Sequence, residues 1–154
     1  DLIIISGGNE LVKFSSKKKD IIRYGLDNYY FGKYFGKVPI IGICHGAQFL
    51  ASKFKNKIIK KKSSTRKHKI FIKNKNYFVN SYHDNFIKKI DNIFEVCGTT
   101  SDGYIEYFLS KKNKIMGIMW HPEREIIKNK IDINLVKKFY ANSNSSLGKR
   151  ETYK

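Results

Sequence analysis

Cys44 lies in Gly42-Ile43-Cys44-His45-Gly46, after the apolar run Val38–Ile43 and before Ala47, Leu50 and Ala51. A thiol between two glycines, where a buried strand turns into a helix, has the form of a nucleophile elbow with Cys in the place of Ser. Glycine is needed at both flanks because a side chain there would crowd the neighbouring strand or helix. The helix start beyond Cys44 is expected to favour a thiolate and to aim backbone N–H groups at an oxyanion. A second cluster, Trp120-His121-Pro122-Glu123, follows the apolar segment Ile115–Met119. A nucleophilic thiol needs a base and the base needs an orienting group. His121 can be that base. Glu123, two residues further along an extended segment, falls on the same side, and Pro122 keeps the segment extended. Taken singly, these motifs also fit a Cys buried at a strand end and a His–Glu pair at a surface turn; the chemistry rests on their combination. Ser6-Gly7-Gly8-Asn9 closes the first apolar run, and its glycines let backbone approach a ligand closely and offer an N–H to an oxyanion.

The segments that must position these groups alternate between two kinds. Leu2–Ile5 and Val38–Ile43 are continuous apolar runs, the mark of strands buried on both faces. Between them, Ile21, Ile22, Leu26, Tyr29 and Tyr30 recur at a spacing that predicts a helix over about 18–35, covering the sheet. A short helix follows Cys44. Strand, helix, strand, helix predicts a parallel sheet with right-handed crossovers, hence an α/β fold with helices flanking a mostly parallel sheet. Residues 53–69 read as a basic loop, with later strands at 69–72, 77–80, 94–98, 104–109 and 114–119 and a last helix over about 131–141. The domain is expected to span 1–141, leaving 142–154 as a flexible tail.

Composition narrows the function. The 154 residues suit one domain, and 41% hydrophobic content supplies a core despite a net charge of +18. The charge comes from 27 Lys against 4 Arg, alongside 22 Ile and 13 Asn. That bias is what A+T-rich codons produce, whereas sequence-reading nucleic-acid proteins lean on Arg. Nucleic acid is therefore not the expected partner, although the charge favours an anionic small substrate. The two cysteines, Cys44 and Cys97, imply no disulfide framework, and Cys97 reads as an inert core thiol. A reducing cytoplasm is the default expectation, and no apolar run approaches the ~20 residues of a membrane span. No Cys/His cluster has zinc spacing and no phosphate-binding loop for ATP is present, so no cofactor is expected.

The stretches Asp1–Asn9, Val38–Leu50, Val79–Asn85, Ser101–Tyr107 and Gly117–Glu123 together resemble the class I glutamine amidotransferase superfamily, within it the γ-glutamyl hydrolases. The resemblance covers essentially the whole chain and implies a flavodoxin-like three-layer fold. It implies hydrolysis of a γ-glutamyl amide, with Cys44 forming a thioester, His121 as general acid and base, and Glu123 holding His121. The N–H groups of Gly8 and His45 would form the oxyanion hole; Gln48, Ser81, Tyr82 and His83 would contact the glutamyl group. His45 is expected to contribute its backbone rather than its ring. The resemblance extends to members that act on a CDP-linked glutamine in capsule biosynthesis, which implies a nucleotide-linked amide. Lys55–Lys62 stands where relatives often carry Gly-Gly-Thr, Asn9 where many have a smaller residue or Pro. The family also begins with a further strand, helix and strand, so the sequence is expected to lack its N-terminal part. Alternatives are a glutaminase subunit that passes ammonia to a synthase partner, a γ-glutamyl-amine hydrolase of polyamine-type catabolism, and an inactive binding module.

Overall fold

The computed structural model describes residues 1–63, 66–125 and 130–144. The elements in chain order are β1 (Ile3–Ile5), α1 (Lys18–Tyr34), β2 (Ile40–Ile43), α2 (His45–Ser52), β3 (Asn56–Lys60), β4 (Lys67–Ile72), β5 (Lys75–Asn80), β6 (Asn85–Ile90), β7 (Glu95–Thr100), β8 (Ile105–Ser110), β9 (Ile115–Ile118), a 3-10 turn at Pro122–Arg124, and α3 (Lys130–Asn144).

The parallel part of the sheet is the part that carries the motifs. β1 pairs parallel to β2 and β2 parallel to β9, with Ile5 opposite Gly42 and Ile43 opposite Ile118. Burial on both faces explains the apolar runs of β2 and β9, whereas β1, at the sheet edge, buries Ile5 but leaves Ile4 exposed, against the expectation from its apolar run. Ile40 and Ile115 belong to one core with Ala47, Phe49 and Leu50 of α2 and Phe31 of α1. The alternate residues Ile41 and Met116 belong to a second core with Phe139 of α3. The result is three layers, two helices on one face and one on the other, in an α/β fold. Beyond β9 the sheet continues antiparallel through β8, β7, β4 and β5, while β6 joins β8 and β3 pairs with β6.

Four expectations change. The Lys-rich stretch is not all loop: β3 lies within it, because Ile58 buries its side chain against the core while the flanking lysines stay in water. β6, with the pattern Asn-Phe-Ile-Lys-Lys-Ile, was not expected as a strand; a register shift against β3 breaks the simple alternation that would have marked it. Helix α1 turns the other way. Ile21, Ile22, Leu26, Tyr29 and Tyr30 are exposed, whereas Asp20, Asp27 and Phe31 are buried. The carboxylates face inward because they have partners there: Ser15 Oγ donates to Asp20 at 2.5 Å, and Arg23 Nε to both Asp27 oxygens at 2.8 Å. Finally, α3 extends to Asn144, three residues into the stretch expected as tail; the rest of that stretch, 145–154, lies outside the described residues.

Candidate active site

Cys44 is the N-cap of α2 with φ 50° and ψ −103°, a positive-φ conformation that a non-glycine residue adopts at a cost of about 1–3 kcal/mol. Packing enforces it. A Cβ at Gly46 would lie 1.9 Å from the Ile5 carbonyl oxygen, and one at Gly42 would lie 2.5 Å from the Gly46 carbonyl carbon. The two glycines therefore let α2 start directly against β1 and β2. Cys44 N donates to Ile118 O at 2.8 Å, so the elbow is tied to β9, the strand that leads to His121. Both ends lie at the same edge of the parallel sheet, and this neighbouring-strand relationship brings the two sequence motifs together.

His121 is buried and its Nδ1 sits 2.6 Å from Glu123 Oε1. That contact fixes a proton on Nδ1 against the carboxylate and leaves Nε2 as the nitrogen free to accept one. Three further groups hold the imidazole. Asn80 Oδ1 accepts from His121 N at 2.7 Å and Asn80 Nδ2 donates to His121 O at 2.8 Å. The Tyr82 ring stands edge-on to the imidazole at 5.6 Å. Gly7 presents bare backbone to it, and a Cβ there would come within 2.4 Å of His121 Cε1.

The Cys44 thiol is 5% exposed, and burial pushes its pKa up to about 12. The His45 N–H bonded to the sulfur and the Arg124 charge pull the other way, while the Glu106 and Glu123 carboxylates add to the rise. This corrects the expectation of a resting thiolate. One helix N-terminus does not offset the loss of water around the sulfur.

The other expected residues fall into two groups. Gly8 stands at φ +131° beside the elbow strand, and His45 N–H reaches the Cys44 sulfur, so both remain candidates for the oxyanion. The His45 ring turns away, with Nε2 3.3 Å from Asp27 Oδ2, as expected for a residue that offers only its backbone. Arg23, also bonded to Asp27, donates from Nη2 to Ser6 O at 2.9 Å, so one carboxylate braces both the elbow and the glycine loop. Gln48 is buried and its Oε1 accepts from Asn85 Nδ2 at 3.1 Å; Asn85 also bonds Glu10, whose second oxygen meets Lys60 Nζ at 2.8 Å. Ser81, Tyr82 and His83 line a cavity on the His121 side. Cys97 is half-buried on β7 with its thiol also pushed up to about 12, chiefly by burial, and takes no part in the site.

Sequence reasoning missed Gly7 as the seat of the imidazole, Asn80, Asp27 and Glu106. Asn80 carried a signal, a carboxamide ending the apolar strand just before Ser81-Tyr82-His83. Glu106 had none: it is 1% exposed, with His68 Nε2 at 3.4 Å and His83 Nε2 at 3.8 Å. Among the described residues no group of three or more His, Cys, Asp or Glu is arranged to hold a metal ion.

A strand-to-helix elbow carrying Cys44, beside the His121–Glu123 pair at the carboxyl edge of the parallel strands, belongs to an α/β fold. Residues 1–142 match the model of the family described as glutamine amidotransferase class-I, and the chain belongs to that family. It is 36% identical over 136 residues to the gamma-glutamyl-CDP-amidate hydrolase of Campylobacter jejuni, which aligns with 85% of this chain and 66% of that protein. It is 29% identical over 133 residues to a glutamine-hydrolysing GMP synthase subunit of Picrophilus torridus, covering 80% of this chain and 67% of that one. The chain thus spans about two thirds of the length of these relatives. Among solved structures, a candidate GMP synthase subunit from Thermoplasma acidophilum superposes with a TM-score of 0.75 at 21% identity, covering 95% of this chain and 74% of the other. A glutamine amidotransferase from Thermotoga maritima superposes with a TM-score of 0.64 at 16% identity, covering 99% and 66%. These likenesses establish the fold. No helix among the described residues is long and apolar enough to cross a membrane.

Proposed function

We propose that this protein hydrolyses a γ-glutamyl amide through a thioester on Cys44. The observation that carries the reading is the placement of Cys44 and His121 at the ends of adjacent parallel strands, with Glu123 2.6 Å from His121 Nδ1. In the first half, His121 Nε2 takes the thiol proton as the sulfur attacks the γ-carbonyl carbon. The carbonyl oxygen gains charge and is met by the N–H groups of Gly8 and His45. The C–N bond breaks, the proton passes from His121 to the leaving nitrogen, and a γ-glutamyl thioester remains. In the second half, water attacks the same carbon while His121 takes its proton, the C–S bond breaks, and glutamate leaves with the thiol restored. Gln48, Ser81, Tyr82 and His83 hold the glutamyl group. A high resting thiol pKa suits this order, because proton transfer to His121 then coincides with attack.

The finer reading is that the amide is nucleotide-linked, a CDP-bound glutamine that yields glutamate and cytidine diphosphoramidate, in capsule biosynthesis. The identity to the Campylobacter jejuni relative supports it. A second reading, a glutaminase that supplies ammonia to a synthase partner, draws on the Picrophilus torridus relative. The test is glutamate release from CDP-linked glutamine and from free glutamine, side by side, with Cys44→Ala as control. Release from the nucleotide amide, lost in the variant, is the expected result. Release from free glutamine alone favours the ammonia-supplying reading. Release unaffected by Cys44→Ala would overturn the mechanism.

A further inference from the structure

A cavity of about 580 Å³ adjoins the His121 side of the site, lined chiefly by Ser63, Arg66, Ser81, Tyr82, His83 and Arg124. Tyr82 links its wall to the catalytic groups: the ring meets the His121 imidazole edge-on at 5.6 Å and carries the Arg124 guanidinium 4.5 Å over its face. Arg124 is also close enough for its charge to act on the Cys44 thiol. The volume falls within the ~300–1,000 Å³ of small-molecule sites and exceeds what a glutamyl group alone would fill.

The chain uses Arg sparingly, 4 times against 27 Lys, yet two of the four, Arg66 and Arg124, converge on this one cavity. Arg23 is committed to Asp27, but among the described residues neither cavity guanidinium has a carboxylate within ion-pair distance. Among the described residues the acid on the wall is Asp84, whose carboxylate accepts the backbone N–H of Ser63 at 2.9 Å. Ser81 and His83 are buried in the wall. A guanidinium presents a planar fork that matches two phosphate oxygens, which an ammonium cannot do.

We propose that the Arg66–Arg124 part of this cavity, beyond the glutamyl contacts at Ser81, Tyr82 and His83, is the leaving-group subsite, and that the two arginines select a leaving group that carries a diphosphate. The assignment rests on the γ-glutamyl amide reading for the name of the subsite, but its binding chemistry can be tested alone. A diphosphate held there places the amide nitrogen toward His121, the group that must protonate it. The other anion that could enter is the α-carboxylate of the glutamyl group itself, and the experiment separates the two.

The test is calorimetric binding of inorganic pyrophosphate, CDP and glutamate to the 154-residue chain, at a salt concentration high enough to suppress non-specific attraction to its basic surface. The variants are Arg66→Lys, Arg124→Lys and the double Lys variant, which preserve net charge. Pyrophosphate and CDP are expected to bind, each Lys substitution weakening them about tenfold and the double variant more, with glutamate affinity changed less than threefold. Equal binding by the wild type and the double Lys variant would overturn the proposal, since charge alone would then account for it. Loss of glutamate binding with pyrophosphate untouched would reassign the pair to the α-carboxylate. A chain that binds pyrophosphate through these arginines but releases no glutamate from any γ-glutamyl amide would retain the anion site and sink only the hydrolase reading.

Discussion

Asn80 grips both backbone polar groups of His121: its Oδ1 accepts from the N–H at 2.7 Å and its Nδ2 donates to the C=O at 2.8 Å. The same Nδ2 reaches Glu125 Oε1 at 2.8 Å. The carboxamide ends β5 and thus fixes, across the sheet edge, the residue that leaves β9. Asn80→Ala is expected to lower kcat about 10–100-fold with KM little changed, because misplacing a base by about 1 Å has that effect. Orphaning the buried N–H and C=O costs a further ~1–3 kcal/mol of stability. Asn80→Asp can accept but not donate and should lie between. Wild-type kcat in Asn80→Ala, by a protein with a normal melt, would remove Asn80 from the machinery.

Cys44 should react as a thiol at rest. Burial, more than any charge, sets its pKa at about 12, against an ordinary 9.0. Alkylation by iodoacetamide in the absence of substrate is expected to be slow at neutral pH and to climb about tenfold per pH unit above pH 9. A rate already at its plateau at pH 7 would show a resting thiolate. Stability follows the same sign. The folded pKa lies above the unfolded one, so the contribution is complete below about pH 9 and is lost as pH rises toward about 12. Cys97 contributes with the same sign, so Cys44→Ala should flatten the alkaline fall in urea-unfolding free energy only in part.

The Glu106 carboxylate is one of the charges that raise the Cys44 pKa, and neither of its oxygens has a hydrogen-bond donor among the described residues. Glu106→Gln should therefore shift the iodoacetamide profile toward lower pH. An unchanged alkylation profile would show that Glu106 does not act on the thiol.

Two glycines test packing against chemistry. Gly46→Ala puts a Cβ 1.9 Å from the Ile5 carbonyl oxygen, backbone against backbone, and should destabilise by ~1–3 kcal/mol or more, read as a fall in the thermal midpoint. Gly7→Ala meets the His121 ring first, 2.4 Å away, a side chain that can swing aside. It should spare the midpoint and cost activity about 100-fold. If both variants lose stability equally, the imidazole is not the part that yields.

Much of the site was legible in the sequence because it is carried by local pattern. Gly-x-Cys-x-Gly requires a tight strand-to-helix turn, His-Pro-Glu sets an imidazole and a carboxylate two residues apart, and the apolar runs of β2 and β9 require strands buried on both faces. Those facts depend on spacing of a few residues, which sequence order preserves. The rest depends on which elements meet. Nothing local distinguishes Asn80 or Glu106 until β5 and β8 are brought to the edge where β9 ends. The spacing of Ile21, Leu26 and Tyr29 marked a helix, yet the partners of Asp20 and Asp27, Ser15 and Arg23, turned the opposite face inward. Likewise, burial rather than the helix start decides the state of the Cys44 thiol. Desolvation and pairing are properties of the assembled interior, summed over residues far apart in the chain, so they are settled only when the chain is folded.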